Sequence, residues 1–592
     1  MKKRFDSIVE FVNFLDQIGE VKHIKEPVSP VIEISKFTDV ESKKPDGGKA
    51  LLFENVVDNG KKTFPVATNI FGSERRMALA LGLEKLSEAG REISEILDTK
   101  PPSSFTEKLK AFFKFLPLSK IMPQTVNEAP CQEVVKTGSD IDLSEIPVLK
   151  CWPRDGGRFI TLPLVFTKSP TDGKQNLGMY RLQVFDKSTT GMHWHIHKDA
   201  SHYFHEYARQ GIQKMPVAVA IGADPAVIYA ATAPLPRGVD ELLLAGFFRK
   251  DGVKTVKCKT VDLCVPADAE FVLEGYVDKD ERRIEGPFGD HTGYYSMADM
   301  YPVFHITAIT RKKQPLYCAT LVGPPPMEDC YMAKATERIF LPLLKSVFPE
   351  IGDYFLPWEG VFHNIAVVSI DKEFPAHAQK LISGLWGQGQ MSFCKAIVVV
   401  DKNVKPSDLH KVCELFVNSF DPDSDITLSF GVLDVLDHSA PNALSGSKIG
   451  IDLTARVNGE APRTPCKLET PTQAQLDAVE SWILENIPAA ESVELKHHFA
   501  AVSLSKGERR GADVLEQLSR CPDIEKFFRA VGIFDTEVDI SETSKIMWKI
   551  FNNTDPKRDI LIRNKTLFID ACRKNKADGY TREWPDDLSF DK

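Results

Sequence analysis

The pattern of the chain changes near residue 330, where a region of short β-rich runs gives way to a regular alternation of strands and helices, and this change restricts the fold more than any other feature. From about residue 131 to 326, turns rich in Gly, Pro and Asp separate runs of apolar and β-branched residues. These runs are ITLPLVFT at 160–167, YRLQVFD at 180–186, VAVAIGAD at 217–224, VIYAAT at 227–232, EFVLEGYVD at 270–278 and VFHITAITR at 303–311. Short strands at such spacing predict an all-β barrel or sandwich that carries a few helices.

The alternation past residue 363 predicts a parallel sheet, because apolar strands joined by helices of this length are typical of βαβ units. A helix predicted over 327–348 leads into it, and Pro342 should kink that helix. The strand patterns are NIAVVSID at 364–371 and KAIVVVD at 395–401, and the helical patterns are AHAQKLISGLWG at 376–387 and SDLHKVCELFVN at 407–418. After roughly residue 480 the chain is polar and mostly helical in pattern. No internal repeat is apparent.

A chain of 592 residues is too long for one hydrophobic core. Ser7 followed by Glu10 is a capping-box pattern, which predicts an N-terminal helix. The fold class is therefore a multidomain α/β and α+β chain of four parts. These are an N-terminal α/β region at 1–125, a β-barrel or sandwich at 126–328, a C-terminal α/β domain entered by a linker helix at 329–480, and a helical extension for self-association at 481–592.

Charge and composition exclude several classes of protein. The net charge of −9 argues against nucleic-acid binding, which usually needs a basic face. The 11 cysteines form no CxxC pair, which indicates free thiols in a reducing compartment. The first residues lack the apolar core of a signal peptide, and no run of 18 apolar residues occurs. The sequence therefore predicts a cytoplasmic protein.

Two acids flank a short turn in EGPFGDHTGYY at 285–295. Glu285 and Asp290 are separated by Gly-Pro-Phe-Gly, which cannot form a helix, so a tight loop brings them together. Paired acids in such a loop suit acid/base chemistry, because burial and mutual repulsion raise one pKa towards neutrality. Without further information, a surface turn whose two acids are solvated explains this segment about as well as a catalytic pair does.

Five of the 14 histidines lie between His193 and His205, and three of these alternate at positions 193, 195 and 197. Alternation places the three side chains on one face only if the segment is a strand. Three histidines are suitable zinc ligands, but a polar strand face that binds no metal is the better explanation of this pattern. Arg181, at the end of NLGMYR, and Asp240 and Glu241, in APLPRGVDE, are uninformative in isolation.

The combination of these segments resembles UbiD-type decarboxylases. NLGMYR, the Trp-x-x-His of WHIH, the PLPRGVDE loop and EGPFGDHTGYY occur in the order and approximate separation of that family. The resemblance covers most of the chain. The segments MEDCYMAKATERIFLPLL, WEGVFHNIAVVSID and DGYTREWPDD are most similar to the bacterial quinone-pathway branch, especially decarboxylases of the futalosine menaquinone route.

The resemblance implies a middle domain that is a split β-barrel related to flavin reductases, holding prenylated FMN, a divalent metal (manganese or magnesium) and a further potassium ion. By position, the metal ligands are Asn176, His197 and Glu241, an oxygen-rich set that suits manganese or magnesium. Lys198 stands where quinone-pathway relatives carry arginine. The residues implied to line or hold the flavin are Asn176, Met179, Tyr180, Arg181, His193, Trp194, His195, His197, Lys198, Ala233, Pro234 and Glu241.

Catalysis in the family uses an acid–arginine–acid network, which falls here on Glu285, Arg181 and Asp290. Many relatives carry glutamate at the last position. Arg181 would hold one carboxylate ionised while the other stays protonated and donates, and either acid is a candidate donor. The reaction needs a cofactor because amino-acid side chains provide no electron sink for a carbanion at an sp² carbon.

The implied function is non-oxidative decarboxylation of an aromatic acid in menaquinone or ubiquinone biosynthesis. A prenylated dihydroxynaphthoate is the first substrate candidate, a prenylated 4-hydroxybenzoate the second and a small phenolic acid the third. Alternatives are a reversible carboxylase of small phenolic acids, a metal-dependent hydrolase with Glu285 as base, and a non-catalytic flavin-binding subunit. Expected partners are a flavin prenyltransferase that supplies the cofactor, a homodimer or homohexamer, and the membrane surface through a lipid-tailed substrate.

Overall fold

The computed structural model describes residues 4–97, 116–194, 199–235, 238–464 and 467–591. The chain forms two compact units, Met1–Ile339 together with Asp586–Lys592, and Phe340–Pro585. Both mix helices and sheets, which confirms the mixed α/β multidomain class, whereas the division into four domains stays a prediction. None of the helices in the described ranges has the length and apolar composition needed to cross a bilayer.

Several helices accompany the sheets of the first unit. They are α1 (Ile8–Gln17), α2 (Glu33–Ser42), α3 (Glu74–Ala80), α4 (Ser87–Leu97), α5 (Asp199–Arg209), α6 (Pro225–Ala230) and α7 (Glu241–Arg249), followed by α8 (Glu328–Val347), which runs into the second unit. Helix α1 begins as predicted, because Ser7 Oγ accepts a hydrogen bond from the Glu10 amide at 3.2 Å. Helix α8 coincides with the helix predicted over 327–348 and continues through Pro342.

The strands of the first unit belong to several sheets. They are β1 (Val21–Ile24), β2 (Ala50–Phe53), β3 (Val57–Asp58), β4 (Lys61–Lys62), β5 (Val66–Thr68), β6 (Gln124–Val126), β7 (Val134–Thr137), β8 (Arg158–Ile160), β9 (Pro163–Lys168), β10 (Gln175–Gly178), β11 (Leu182–Val184), β12 (Thr189–Gly191), β13 (Lys214–Ile221), β14 (Lys254–Lys257), β15 (Cys264–Pro266), β16 (Phe271–Glu285), β17 (Phe288–Gly289), β18 (Tyr295–Ser296), β19 (Asp299–Arg311) and β20 (Tyr317–Cys318). Strands β1, β2, β5 and β20 form a four-stranded sheet, and β15, β14 and β6 a three-stranded one.

A nine-stranded, half-barrel sheet positions the site. Its order is β10-β9-β13-β16-β19-β12-β11-β8, and β7 pairs with β19. The long strands β16 and β19 are antiparallel, with a register shift between Val277 and Arg282. Up to Val277, β16 alternates through the main apolar core, and beyond the shift it carries Glu285 to its end. The shift thus lets one strand serve both the core and the site.

The run VIYAAT is a helix, not the strand that the sequence predicts. It lies within α6 and the turn after it, and the Asp224 carboxylate caps α6 by accepting a hydrogen bond from the Ala226 amide at 2.7 Å. Every residue of α6 is buried, so the run is apolar on all sides and has no helical periodicity. A short apolar run of this kind does not distinguish a buried helix from a buried strand.

The second unit contains two five-stranded sheets. Its helices are α9 (His377–Leu385), α10 (Leu409–Ser419), α11 (Pro422–Asp425), α12 (Gln473–Asn486), α13 (Gly511–Leu518), α14 (Ile524–Phe527), α15 (Thr543–Asn553) and α16 (Pro556–Asp559). Its strands are β21 (Ile351–Phe355), β22 (Ile365–Ile370), β23 (Ala396–Asp401), β24 (Ile426–Val432), β25 (Ser445–Asp452), β26 (Ala490–Lys496), β27 (Phe499–Leu504), β28 (Ala530–Asp535), β29 (Ile560–Arg563) and β30 (Thr566–Asp570). The predicted strands and helices over 364–418 are confirmed, and β22 and β23 are parallel.

The expectation of a mostly helical extension after residue 480 is wrong, because β26–β30 form a sheet there. The strand that opens this sheet is one reason. AESVELK at 490–496 is a half-exposed edge strand with charged residues at several positions, so its composition is that of a polar helix rather than a buried strand.

The two sheets of the second unit have the same topology. The first has the order β21-β22-β23-β25-β24 and the second β26-β27-β28-β30-β29, so each strand has a counterpart. In both, the three inner strands are parallel and the two edge strands are antiparallel to their neighbours. The unit therefore contains a tandem structural repeat, although no internal repeat is apparent in the sequence. We call β21–β25 with their helices the first module, and β26–β30 with theirs the second module.

Each module buries a lysine between two acids at equivalent positions. Lys372 Nζ lies 3.3 Å from Asp452 and 2.8 Å from Glu460, and Lys506 Nζ lies 2.9 Å from Asp570 and 2.7 Å from Asp578. The surrounding sequences also correspond: VSIDK at 368–372 with VSLSK at 502–506, and DPDSDI at 421–426 with DPKRDI at 555–560. The shared cluster supports common descent of the two modules.

Candidate active site

A buried ion-pair network lies where β11, β16 and the hairpin β17–β18 meet. Arg181, which directly precedes β11, donates from Nε to Glu285 Oε1 at 2.9 Å and from Nη2 to Glu285 Oε2 at 3.2 Å. Its Nη1 donates to Asp290 Oδ2. The side chains are only 9%, 0% and 10% exposed for Arg181, Glu285 and Asp290. One guanidinium thus joins the two acids that the sequence singles out.

Further side chains fix the orientation of this network. Arg181 Nη2 also donates to Ser296 Oγ at 3.0 Å, and the guanidinium lies 4.4 Å from the ring centroid of Phe288. His193 Nδ1 is 2.8 Å from Glu285 Oε2, and its ring stacks on Tyr301 at 4.2 Å. The structure therefore places His193 against Glu285, a contact that the flavin-lining role implied by the resemblance does not include.

The protonation of the two acids differs from the prediction that one of them stays protonated. Burial alone would raise the pKa of Glu285, but the charge of Arg181 and the hydrogen bond with His193 lower it to about 2. The pKa of Asp290 is likewise lowered, since Arg181 and His291 outweigh its burial. Both carboxylates are ionised at neutral pH in this geometry, because a single cation stabilises both of them.

Burial and the charge of Arg181 lower the pKa of His193, although Glu285 acts in the opposite direction. The imidazole is therefore neutral at pH 7. Its neutral form donates from one ring nitrogen only, and a hydrogen bond to the ionised Glu285 requires that proton on Nδ1.

The loop between the two acids is held by residues that sequence analysis misses. Gln183 Oε1 accepts a hydrogen bond from the Gly286 amide at 2.7 Å, and Asp155 Oδ1 accepts one from the Gly289 amide at 2.8 Å. Gly286 has φ of +96°, a conformation that favours glycine. These contacts join residues more than a hundred positions apart, so local patterns give no indication of them.

A second group of polar residues joins β10 to the start of α7. Asn176 Nδ2 donates to Glu241 Oε1 at 2.8 Å, and the Leu177 amide donates to Glu241 Oε2 at 2.9 Å. Asn176 Oδ1 is buried and accepts no hydrogen bond from the described residues. Burial raises the pKa of Glu241 to about 7. A buried amide oxygen and a destabilised carboxylate side by side suit a hard cation, which satisfies both.

The remaining predicted residues lie around these two groups or outside the described ranges. The Met179 amide donates to the Ala231 carbonyl at 3.0 Å, so the segment between β10 and β11 contacts the turn after α6. Ala233 and Pro234 follow in that turn and are half-buried. Tyr180 and Trp194 are buried, and the Trp194 ring packs on Phe204 at 5.3 Å. His195, His197 and Lys198 lie outside the described residues. The short segment 176–181 therefore links the two groups.

Three family profiles match the chain: the N-terminal domain of 3-octaprenyl-4-hydroxybenzoate carboxy-lyase at 12–97, its Rift-related domain at 124–325, and its C-terminal domain at 330–453 and 473–579. An uncharacterized protein of Archaeoglobus fulgidus is 48% identical over 80% of this chain and 96% of its own length. One of Helicobacter pylori is 38% identical over 97% of this chain and 93% of its own length.

Two solved structures are similar to the chain. The closed form of vanillic acid decarboxylase from Sedimentibacter hydroxybenzoicus has a TM-score of 0.68 at 26% identity, covering 80% of this chain and 98% of that one. An evolved dimeric form of the UbiD-class enzyme HmfF from Pelotomaculum thermopropionicum, in complex with prenylated FMN, has a TM-score of 0.64 at 27% identity, covering 78% of this chain and 97% of that one.

Proposed function

Because the chain belongs to the UbiD family of carboxy-lyases, we propose that it catalyses the non-oxidative decarboxylation of a hydroxyaryl carboxylic acid with prenylated FMN and a divalent metal. The observation that carries this proposal is the buried network in which Arg181 joins Glu285 and Asp290. A buried guanidinium supplies a recognition site for a carboxylate, and each of the two acids can take up and pass on a proton once its pairing with the guanidinium weakens.

Asn176, Glu241 and His197 would hold the metal. The buried oxygen of Asn176 and the raised pKa of Glu241 support this assignment, because both atoms gain from a bound cation. Manganese or magnesium fits the oxygen ligands, and potassium is the additional ion proposed. When bound, the prenylated flavin supplies the electron sink that side chains lack. Met179, Tyr180, Trp194, His195, Lys198, Ala233 and Pro234 are proposed to line its site.

Arg181 has two successive roles in the proposed reaction. It first pairs with the carboxylate of the substrate, in the geometry that guanidinium and carboxylate groups share. That pairing withdraws hydrogen bonds from the two resident acids, so burial then dominates and raises their pKa values. Glu285 is the proposed donor and Asp290 the alternative. Glu285 loses two hydrogen bonds from Arg181 in this step but keeps its contact with His193, and it would take up its proton from solvent and pass it to the carbon that carbon dioxide has left.

Purification after co-expression with a flavin prenyltransferase tests the proposal. We expect a coloured protein with flavin and metal in equal amounts, which releases carbon dioxide from members of an aromatic-acid panel. The panel contains a prenylated dihydroxynaphthoate, a prenylated 4-hydroxybenzoate and small phenolic acids, and each decarboxylated product is tested with bicarbonate for the reverse reaction. A colourless protein that is inactive on the whole panel would refute the function.

The amide variant Glu241→Gln is expected to lose most of the bound metal and, with it, flavin retention. Glutamine cannot supply the negative charge that a divalent cation needs, so metal affinity should fall by about 10- to 100-fold. Asp240→Asn is the matched control, since Asp240 caps α7 and asparagine caps helices equally well. Metal analysis and the flavin absorbance of both variants decide the outcome. A Glu241→Gln variant that retains as much metal as Asp240→Asn and the unchanged protein would contradict the assignment of Glu241 as a metal ligand.

A role in menaquinone or ubiquinone biosynthesis, a cytoplasmic location with contact to the membrane surface, and a homodimer or homohexamer complete the proposal. The segments shared with the quinone-pathway branch support the first of these. The proposed relation of the nine-stranded sheet to flavin reductases rests on the family resemblance.

A further inference from the structure

The last described segment of the chain, residues 586–591, which we call the tail, returns from the second unit to the first. It lies along the hairpin β17–β18, whose loop carries Asp290. The Tyr295 amide donates to the Asp586 carbonyl at 3.0 Å, and the Leu588 amide donates to the Gly293 carbonyl at 2.9 Å. Tyr294 and Asp587 form an antiparallel bridge between these two bonds. The tail thus adds a short third strand to the hairpin.

Side chains of the tail also anchor it to the first unit. Leu588 is buried in the main core, and the Phe590 ring stacks on Trp152 with centroids 4.3 Å apart. The Trp152 amide donates to Asp155 Oδ2 at 2.8 Å, and Asp155 Oδ1 accepts the Gly289 amide. Asp586 also pairs with Arg154. The tail therefore holds the hairpin directly through its backbone and indirectly through Trp152 and Asp155.

The hairpin supplies several of the contacts that orient Arg181. Asp290 and Ser296 accept its hydrogen bonds, and Phe288 covers its guanidinium. The loop between the two strands turns through Gly293, with φ of +86°, and is closed by the Gly293 amide, which donates to the Asp290 carbonyl at 3.0 Å. These bonds hold the loop together but do not fix its place beside Arg181. Without the tail, the Tyr295 amide and the Gly293 carbonyl lose these partners, and the hairpin loses contacts that hold it beside the guanidinium.

We propose that the tail positions the Asp290 loop against Arg181 and thereby sets the rate of the proton-transfer step. This inference rests on the proposed function. The contacts given above join the tail to the hairpin, Trp152 and Arg154, so its residues act through other groups and are positioning residues. Displacement of a catalytic group by about 1 Å costs on the order of 100-fold in rate, so the backbone bonds of the tail and its two apolar anchors, Leu588 and Phe590, would matter if they prevent such a displacement.

The double variant Leu588→Ala/Phe590→Ala tests the proposal in the flavin-loaded protein. We expect kcat to fall by about 10- to 100-fold, with KM and flavin content within about twofold of the unchanged protein. Hydrogen exchange should accelerate at the Tyr295 amide and the neighbouring amides of residues 288–296. The single variant Phe590→Tyr, which keeps the ring on Trp152, should retain the kcat of the unchanged protein.

Leu15→Ala is the matched control, since Leu15 is fully buried but lies in α1, which belongs neither to the hairpin nor to the nine-stranded sheet beside it. It should lower the unfolding temperature without slowing kcat or hydrogen exchange in the loop. If the double variant does not fold, Phe590→Ala alone is judged by the same criteria.

Two results would overturn the positioning role. One is an unchanged kcat in a variant whose loop exchanges faster. The other is a loss of kcat that is matched by loss of flavin, since that indicates a general structural effect. Failure of the proposed function is separate, because the unchanged protein would then be inactive on every aromatic acid while its loop exchange still reports on the tail.

Discussion

Glu285→Gln is expected to reduce turnover of the aromatic acid by about 10²–10⁴-fold while the flavin and the metal remain bound. Glutamine preserves the size of the side chain, and its oxygen still accepts the hydrogen bond from Arg181 Nε. Its amide nitrogen replaces the oxygen beside His193 Nδ1, and a shift of the imidazole proton to Nε2 lets Nδ1 accept from that amide, so the network should keep most of its shape. Glutamine holds no proton that can be transferred, however, and the step that needs an acid fails. Steady-state release of carbon dioxide and the flavin spectrum measure the two effects separately.

Glu281→Gln is the control for this result. Glu281 lies on the same strand, four residues before Glu285, and pairs with His305 instead of Arg181. It should leave turnover within about twofold, because a partly exposed pair contributes little. Normal activity of Glu285→Gln, or a loss confined to Asp290→Asn, would reject Glu285 as the donor and assign that role to Asp290.

Arg181→Met is expected to be both inactive and unstable. Removing the guanidinium leaves Glu285 and Asp290 buried side by side without a counter-charge, which costs about 3–5 kcal/mol of unfolding free energy at neutral pH. Substrate recognition is lost with it, so we expect no detectable release of carbon dioxide. Urea unfolding and the activity assay measure these losses.

The loss of stability should depend on pH. In the unchanged protein both folded-state pKa values are lowered, so the stabilisation is fully present above about pH 4 and is lost only as the pH falls through the folded values, about 2 for Glu285 and lower for Asp290. In Arg181→Met, burial without the guanidinium raises both pKa values above those of the unfolded chain. The variant therefore becomes less stable as the pH rises from about 4 to 8.

Unfolding at pH 4.5 and at pH 7.5 tests this dependence, with the larger difference from the unchanged protein expected at pH 7.5. Arg283→Met serves as the control, since Arg283 is 42% exposed and its ion pairs lie at the surface. Its effect should be small and nearly independent of pH. A difference for Arg181→Met that is greater at pH 4.5 would contradict the electrostatic account.

Much of the fold is predictable because periodic apolar patterns dominate it. The strands and helices over 364–418 and the cap at Ser7 follow from local sequence, and the structure confirms them. Helix α6 cannot be predicted in this way, since a helix buried on all sides has no apolar periodicity to detect. The strand that opens the sheet after residue 480 is missed for the opposite reason, because an exposed edge strand is rich in charged residues and resembles a polar helix.

In the candidate site, too, some residues are indicated by local sequence and others only by long-range contacts. Glu285 and Asp290 attract attention because Gly and Pro force them into one turn, and Arg181 joins them only through contacts over more than a hundred residues. Their protonation is not predictable from the sequence, since it depends on whether one cation reaches both acids. Gln183, Asp155 and the tail also belong to the site through contacts that no local pattern indicates.

The repeated module has a consequence for how such chains change in length. Lys372 and Lys506 each lie two residues after equivalent strands and bind equivalent acids, so a single in-frame deletion that joins the first lysine to the residue after the second would leave one complete set of module elements. The hybrid would still end in the segment that reaches the Asp290 loop. Recombination between the two copies would therefore shorten the protein by one module and leave every residue of the candidate site in the chain.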